Sequence, residues 1–525
     1  MNFFSKKAAR KVTAIIILDG WGIAPVWGGN AVASAETRVF NEITVQYPST
    51  TLLASGPAVG LSEGAPGNSE AGHLNIGAGQ IILQDQGIID SHINDGSFFN
   101  NGMILGAIDH ARKNNSSLHI MGLLSKTGTH SQINHLYALL KLLHDQNFGN
   151  FHIHLFADGR DSDMMSGIEM LAEVQSKIVQ FGFGTNHIAS VIGRVFAMDR
   201  DNNWAKIKKA YDMLVSGVGQ SYESPGAVFA SSYARNITDE FIEPSIVVNK
   251  TQPAAVINDN DSVILFNFRA DRAKEITEIF LNPEIEGIPN RRILNNLYFV
   301  SFVMYNENTK AKQAFAPILH NQGLAQIWSG LGLKQYHSAE SEKYAHVTYF
   351  FDGGIEKKNA GEDWLMIPSK KGLSYAKIPA MSAFELTDSI ISMIEKDVYD
   401  CFVINFANAD MVGHTGDLQA AIKAVTVVDQ CLGRILTEIL KREGTAFVCA
   451  DHGNAEQMVN PKTGDPDTEH TCNPVPFIIV DSRFQGQKLS LRADGKLSNI
   501  APTVLEVMGI KNTVPSMETS LIIRS

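Results

Sequence analysis

Between residues 117 and 272 the chain repeats one pattern: a short apolar run, a small polar segment rich in charge, then an amphipathic stretch. Residues 117–121, 151–157, 187–192 and 262–266 read as buried strands, and residues 132–146, 164–182 and 203–216 as helices. Strands alternating with helices argue for a parallel sheet, in which the segments after the strands share one edge. The residues placed there are His130, Arg160 with Asp161, Arg194 with Arg200, and Arg269 with Arg272. Five guanidiniums on one edge repel one another unless an anion joins them, and their forks match carboxylate and phosphate bidentately. The implied ligand is small and strongly anionic.

A second polar set flanks this region. Residues 11–18 read as a buried strand ending in Asp19, residues 401–406 as one followed by Asp410 and His414, and residues 445–449 as one followed by Asp451 and His452. His470 precedes a last strand at 475–480. A long helix spans 418–442, stopped by Gly444; residues 31–47 look helical, and residues 350–354 read as a turn. The glycine-rich run at 67–79 carries one hydroxyl, Ser69, at the mouth of a helix, where free N–H groups and the dipole favour an anion. A lone serine there also suits an N-cap. A dinucleotide loop is excluded, because Ile82 stands where the third glycine of G-x-G-x-x-G is needed. Mixed Asp and His ligands suit Mn²⁺ or Zn²⁺, and six of them with the Ser69 oxygen suffice for two ions. A serine hydroxyl is a weak nucleophile that such ions activate.

The chain has 525 residues, enough for two or three domains, and a net charge of −11 argues against nucleic-acid binding as its main task. No apolar run reaches the ~18 residues that span a bilayer. Lys6, Lys7, Arg10 and Lys11 are followed by an apolar run too short for a secretory leader. Cys401, Cys431, Cys449 and Cys472 form no C-x-x-C pair, which fits buried free thiols in a reducing cytoplasm. Asn306, Glu307, Asn308, Lys310, Lys312 and Pro317 form a polar, linker-like stretch.

The segments LDGWG at 18–22, GNSEAGHLNIGAG at 67–79, DGRD at 158–161, FNFRADRA at 266–273, SEKYAHVT at 341–348, NFANADMVGHTG at 405–416 and ADHGNAE at 450–456 closely resemble those of the cofactor-independent phosphoglycerate mutases, in the alkaline phosphatase superfamily. They occur in that family's order over nearly the whole chain. The resemblance implies an α/β fold: an alkaline-phosphatase-like domain of mainly parallel sheet, residues 1–82 and 318–525, interrupted by a second α/β phosphotransferase domain, residues 83–317, with hinges near 80–85 and 310–317. It implies interconversion of 3- and 2-phosphoglycerate through a phosphoserine at Ser69. Two Mn²⁺ ions, replaceable by Zn²⁺ or Co²⁺, are implied on Asp410, His414 and His470, and on Asp19, Ser69, Asp451 and His452. His130, Arg160, Asp161, Arg194, Arg200, Arg269, Arg272 and Lys343 would bind phosphoglycerate, with Asp161 a general base and Lys343 a charge neutraliser. A cytoplasmic monomer without organic cofactor, membrane or nucleic-acid partner is expected. Retention of glycerate against hydrolysis is the physical reason for a second domain. Gln80, Lys126, Thr127, Ala409 and Cys472 depart from the family pattern without removing an implied ligand. A metal-dependent phosphatase of the same superfamily would share the metal residues but not the arginine set.

Overall fold

The computed structural model describes residues 11–248, 255–285, 288, 291–306, 309–316, 322–370, 372–486 and 489–523. Lys6, Lys7, Arg10, Glu307, Asn308 and Pro317, named above, lie outside them. The chain forms two compact units: Met1–Gln84 with Leu319–Ser525, and Asp85–Ile318.

The first unit is built on an eight-stranded sheet. Strands Glu362–Ile367, Gln335–Glu340, Cys401–Phe406, Thr13–Leu18 and Thr445–Cys449 run parallel in that order. Val475–Val480 continues antiparallel and pairs antiparallel with Ser49–Leu53. Thr13–Leu18 is central, every residue buried, as its continuous apolar run requires. Its register decides where the chemistry goes. Leu18 pairs with Phe406 and Ile17 with Cys449, so Asp19, Asp410 and Asp451 all emerge at one carboxyl edge.

Helix Leu418–Lys441 covers the sheet, with buried residues including Ala421, Val425, Val428, Leu432, Ile435 and Ile439 at helical spacing. Its Asp429 accepts hydrogen bonds from Val39 N at 3.0 Å and Phe40 N at 2.7 Å. That carboxylate starts a second helix, Arg38–Gln46, so the helix expected over 31–47 divides into Ala31–Ser34 and Arg38–Gln46. The turn at 350–354 is entered through a single π-helical turn, His346–Phe350. It closes at Gly353 and Gly354, with φ of 81° and 83°. Cys401, Cys431 and Cys449 are buried thiols, whereas Cys472 is exposed, contrary to expectation, because it sits in a loop before a strand.

The second unit carries its own eight-stranded sheet. Ser262–Leu265, Leu118–Leu124, Phe151–Ala157 and Ile188–Gly193 are consecutive parallel neighbours. Helices Ile133–Asp145, Gly167–Gln180 and Trp204–Ser216 alternate with them. Leu124 pairs with Ala157 and Ala157 with Gly193, which puts Asp158 and Arg194 side by side at the carboxyl edge. Among the described residues, no helix is long and apolar enough to cross a membrane.

Candidate active site

In the first unit, Ser69 opens helix Ser69–Ala78 but does not cap it: Asn68 is the N-cap, its side chain accepting from Ala71 N at 2.8 Å. The Ser69 hydroxyl is thereby released for other work. Its Oγ lies 2.9 Å from His452 Nε2, 3.4 Å from Asp19 Oδ1 and 2.7 Å from Lys343 Nζ. Two glycines allow this crowding. Gly20 has φ +74°, and a Cβ there would sit 2.7 Å from Asp410 Cα. At Gly72 a Cβ would meet Asp451 Cβ at 2.7 Å, so only bare backbone lets the helix reach that strand end.

Lys343 Nζ donates to Asp19 Oδ1 at 2.7 Å and Asp410 Oδ2 at 2.6 Å. Burial opposes its charge, and Asp19, Asp410 and Asp451 outweigh burial, raising its pKa. For Asp410, burial is overcome by Lys343, His414 and His470, which hold the carboxylate ionised. Asp19 is pushed up by burial and by Asp451, against the pull of Lys343. Among the described residues, the carboxylates of Asp19, Asp410 and Asp451 share the Lys343 ammonium, which leaves negative charge in excess.

The imidazoles show where cations belong. His414 Nδ1 donates to Thr468 O at 2.7 Å, His470 Nδ1 to Gly67 O at 2.8 Å, and His452 Nδ1 to Gly453 O at 3.3 Å. A carbonyl only accepts, so each Nδ1 carries the hydrogen, and each ring turns its Nε2 inward, where it can offer a lone pair to a cation. His414 Nε2 and His470 Nε2 meet at 3.0 Å, and lie 3.2 and 3.1 Å from Asp410 Oδ1. Asp451 Oδ2 is buried 3.6 Å from His452 Nε2, and the N–H it faces at 3.3 Å, His73 Nδ1, already donates to Ser69 O at 2.8 Å. Converging lone pairs and an under-satisfied carboxylate oxygen are the donor set of divalent cations. His452 also comes within 4.8 Å of the Asp410 and His470 ligand atoms, so it stands near both groupings.

In the second unit the expected residues divide into two kinds. Arg194 is buried and already paired: Nη1 contacts Asp158 Oδ1 at 2.6 Å and Asp161 Oδ2 at 2.5 Å. Arg160, Arg200 and Arg269 keep about half of their side chains exposed, at 52%, 48% and 54%. Arg272 Nη1 donates to Met198 O at 3.0 Å. His130 Nε2 lies 3.7 Å from Asp161 Oδ2, and burial with the nearby Arg194 charge lowers its pKa to about 4. His130 is therefore a neutral ring at neutral pH.

Sequence reasoning missed several partners. Asp271 contacts Arg200 at 3.1 Å, Arg269 at 3.4 Å and His130 at 3.8 Å. Asp158 anchors Arg194, and Asn454 Nδ2 donates to Asp410 Oδ1 at 2.9 Å. Asn405 Nδ2 donates to Asp19 Oδ2 at 2.7 Å. A polar Asn inside the apolar run 401–406 was the signal available for that last contact.

The family described as BPG-independent PGAM N-terminus (iPGM_N) matches residues 89–307. The chain is 45% identical over 512 residues to the 2,3-bisphosphoglycerate-independent phosphoglycerate mutase of Clostridium perfringens, covering 97% of this chain and 98% of that one. It is 44% identical to the enzyme of the same name from Moorella thermoacetica, covering 98% and 99%. The crystal structure of Leishmania mexicana phosphoglycerate mutase at low cobalt concentration superposes with a TM-score of 0.70, at 29% identity, covering 99% of both chains.

Proposed function

The chain belongs to the 2,3-bisphosphoglycerate-independent phosphoglycerate mutases, metal-dependent isomerases that interconvert 3- and 2-phosphoglycerate, and from that membership we propose which residues perform the reaction. Met1–Gln84 with Leu319–Ser525 acts as the phosphatase-like metal-binding domain, and Asp85–Ile318 as the inserted phosphotransferase domain that grips the substrate. Two Mn²⁺ ions would be held by Asp410, His414 and His470, and by Asp19, Ser69, Asp451 and His452. Their chemistry is positive charge, which lowers the cost of an ionised Ser69 hydroxyl and of charge on the transferring phosphoryl oxygens.

The protein's own groups do the rest. Ser69 Oγ, its proton given up to solvent, forms a bond to phosphorus as the bond from phosphorus to the C3 oxygen of 3-phosphoglycerate breaks; protonated Asp161 gives its proton to that oxygen, and the glycerate stays bound. Lys343, 2.7 Å from that Oγ, neutralises charge on the group in transit. Arg160, Arg200, Arg269 and Arg272 hold the carboxylate and phosphate. Arg194 orients Asp161, at 2.5 Å, to accept the proton of whichever glycerate hydroxyl takes the phosphoryl group back. Return to the C2 oxygen gives 2-phosphoglycerate. Neutral His130 lines the same edge as a hydrogen-bonding group. The observation that carries this reading is the freed Ser69 hydroxyl beside Lys343, inside a pocket of converging Asp and His acceptors. Three buried thiols and the family's glycolytic role support a cytoplasmic location, and a monomer is proposed.

The test is a coupled assay from 3-phosphoglycerate to the enolase product, with Mn²⁺ and without added bisphosphoglycerate. Turnover that needs the metal and releases no inorganic phosphate supports the mutase reading. Stoichiometric phosphate release would replace it with a phosphatase.

A further inference from the structure

We propose that His73 is a positioning residue that aligns Ser69, Asp451 and, through Asn405, Asp19, so that three of the four groups assigned to one ion share a single buried ring. The proposal rests on the two-ion reading above. His73 is fully buried. Its Nδ1 lies 2.8 Å from Ser69 O and 3.3 Å from Asp451 Oδ2. Both oxygens only accept, so Nδ1 carries the hydrogen. Nε2 lies 2.9 Å from Asn405 Nδ2, which also donates to Asp19 Oδ2 at 2.7 Å. An amide nitrogen only donates, so Nε2 keeps its lone pair and both Asn405 hydrogens are used. With the hydrogen on Nδ1, the ring donates to Ser69 O, faces Asp451 Oδ2 with the same N–H, and accepts from Asn405.

The local sequence builds this arrangement. His73 follows Ser69 by four residues in helix Ser69–Ala78, which lays its ring back toward the first turn. Gly72, one residue before it, brings the helix against Asp451. Asn405 is the polar residue of strand Cys401–Phe406 and pairs in register with Ile17, two residues before Asp19. The ligand atoms of Asp19, His73 and Asp451 lie within 4.8 Å of one another, which makes His73 a candidate ligand by proximity. Its two nitrogens are already committed, however, and that commitment assigns it to alignment of the ligands. His73 does not touch the other grouping, whose members have partners of their own: Asp410 is held by Asn454, His414 by Thr468 O and His470 by Gly67 O, while Lys343 bridges Asp19 and Asp410.

Calorimetric titration of the metal-free full chain with Mn²⁺ tests this. Wild type is expected to show two binding events; fewer would sink the two-ion reading itself, and this inference with it. His73→Ala is expected to weaken one event about 10- to 100-fold and leave the other unchanged. Asn405→Ala should weaken the same event, and the double variant should lose less than the summed singles, because the residues act as one unit. His73→Gln, whose amide oxygen can still accept from Asn405, should fall between wild type and His73→Ala, and serves if the alanine variant does not fold. Equal weakening of both events, no weakening of either, or additive losses would overturn the proposal.

Discussion

His414 and His470 present Nε2 atoms to each other at 3.0 Å, each ring pinned through Nδ1 to a backbone carbonyl, with Asp410 Oδ1 against both. Without a cation, only added protons relieve these facing acceptors. Asp410 indeed raises the pKa of His414, and for His470 it outweighs the opposing burial. Mn²⁺ at a thousandfold excess over its Kd should therefore stabilise the protein by about 4 kcal/mol per site. The check is a calorimetric melting midpoint with Mn²⁺ and with a chelator. The stabilisation should weaken on acidification, because the ligating rings must be unprotonated. Identical midpoints with metal and chelator would contradict the assigned ligands.

The Lys343 ammonium is shared by Asp19, Asp410 and Ser69. Lys343→Met should lower kcat by about 10²- to 10³-fold, the cost of removing one preorganised donor to transition-state charge. KM should move much less. A steady-state profile with unchanged kcat would remove Lys343 from the chemistry.

The guanidiniums should separate by what they already hold. Arg269 is half exposed, so Arg269→Ala should raise KM by about tenfold to a hundredfold, the worth of a charged hydrogen bond of about 1.5–3 kcal/mol. Melting should barely change. Arg194→Ala instead strands buried Asp158 and should destabilise the protein by about 3–5 kcal/mol. Paired denaturant melts and KM values distinguish the two, and an Arg194→Ala protein of normal stability would show the clamp to be dispensable.

Acid stability follows from histidines that the fold holds neutral, and half-buried His152 is one. Burial, then the neighbouring His119 and His187, brings His152 down to about 4 from an ordinary 6.5. Below pH 6.5 the unfolded chain binds a proton that the folded one refuses, so stability rises with pH. The contribution is complete above 6.5 and is lost as pH falls from 6.5 toward 4. His152→Gln should flatten the acid limb of a stability–pH curve by up to about 1.4 kcal/mol per pH unit. An unaltered slope would show that His152 does not titrate differently on unfolding.

Strand positions and the residues after them were legible because buried parallel strands are continuous apolar runs. Phe151–Ala157, Cys401–Phe406, Thr445–Cys449 and Val475–Val480 fall where the runs placed them. Gln335–Glu340 and Glu362–Ile367 were not anticipated: His337, Glu340 and Glu362 interrupt their apolar character, and tertiary partners bury them. Candidate site residues were legible by type and position, since Asp and His after strands converge on one edge. Their state was not. That Arg194 is buried beside Asp158 depends on a contact between distant segments that no local pattern encodes, and Asn68 and Ser69 are adjacent residues of about equal capping preference, so the sequence did not decide which one caps the helix.

The most direct measurement is acid-quenched turnover with 3-phosphoglycerate and Mn²⁺, followed by mass spectrometry of the peptide spanning residues 67–79. A phosphoryl group is expected on Ser69 during turnover and absent from Ser69→Ala, whose activity should fall by about 10⁴-fold or more. An unmodified peptide under full turnover, or a Ser69→Ala enzyme with near-normal kcat, would contradict it.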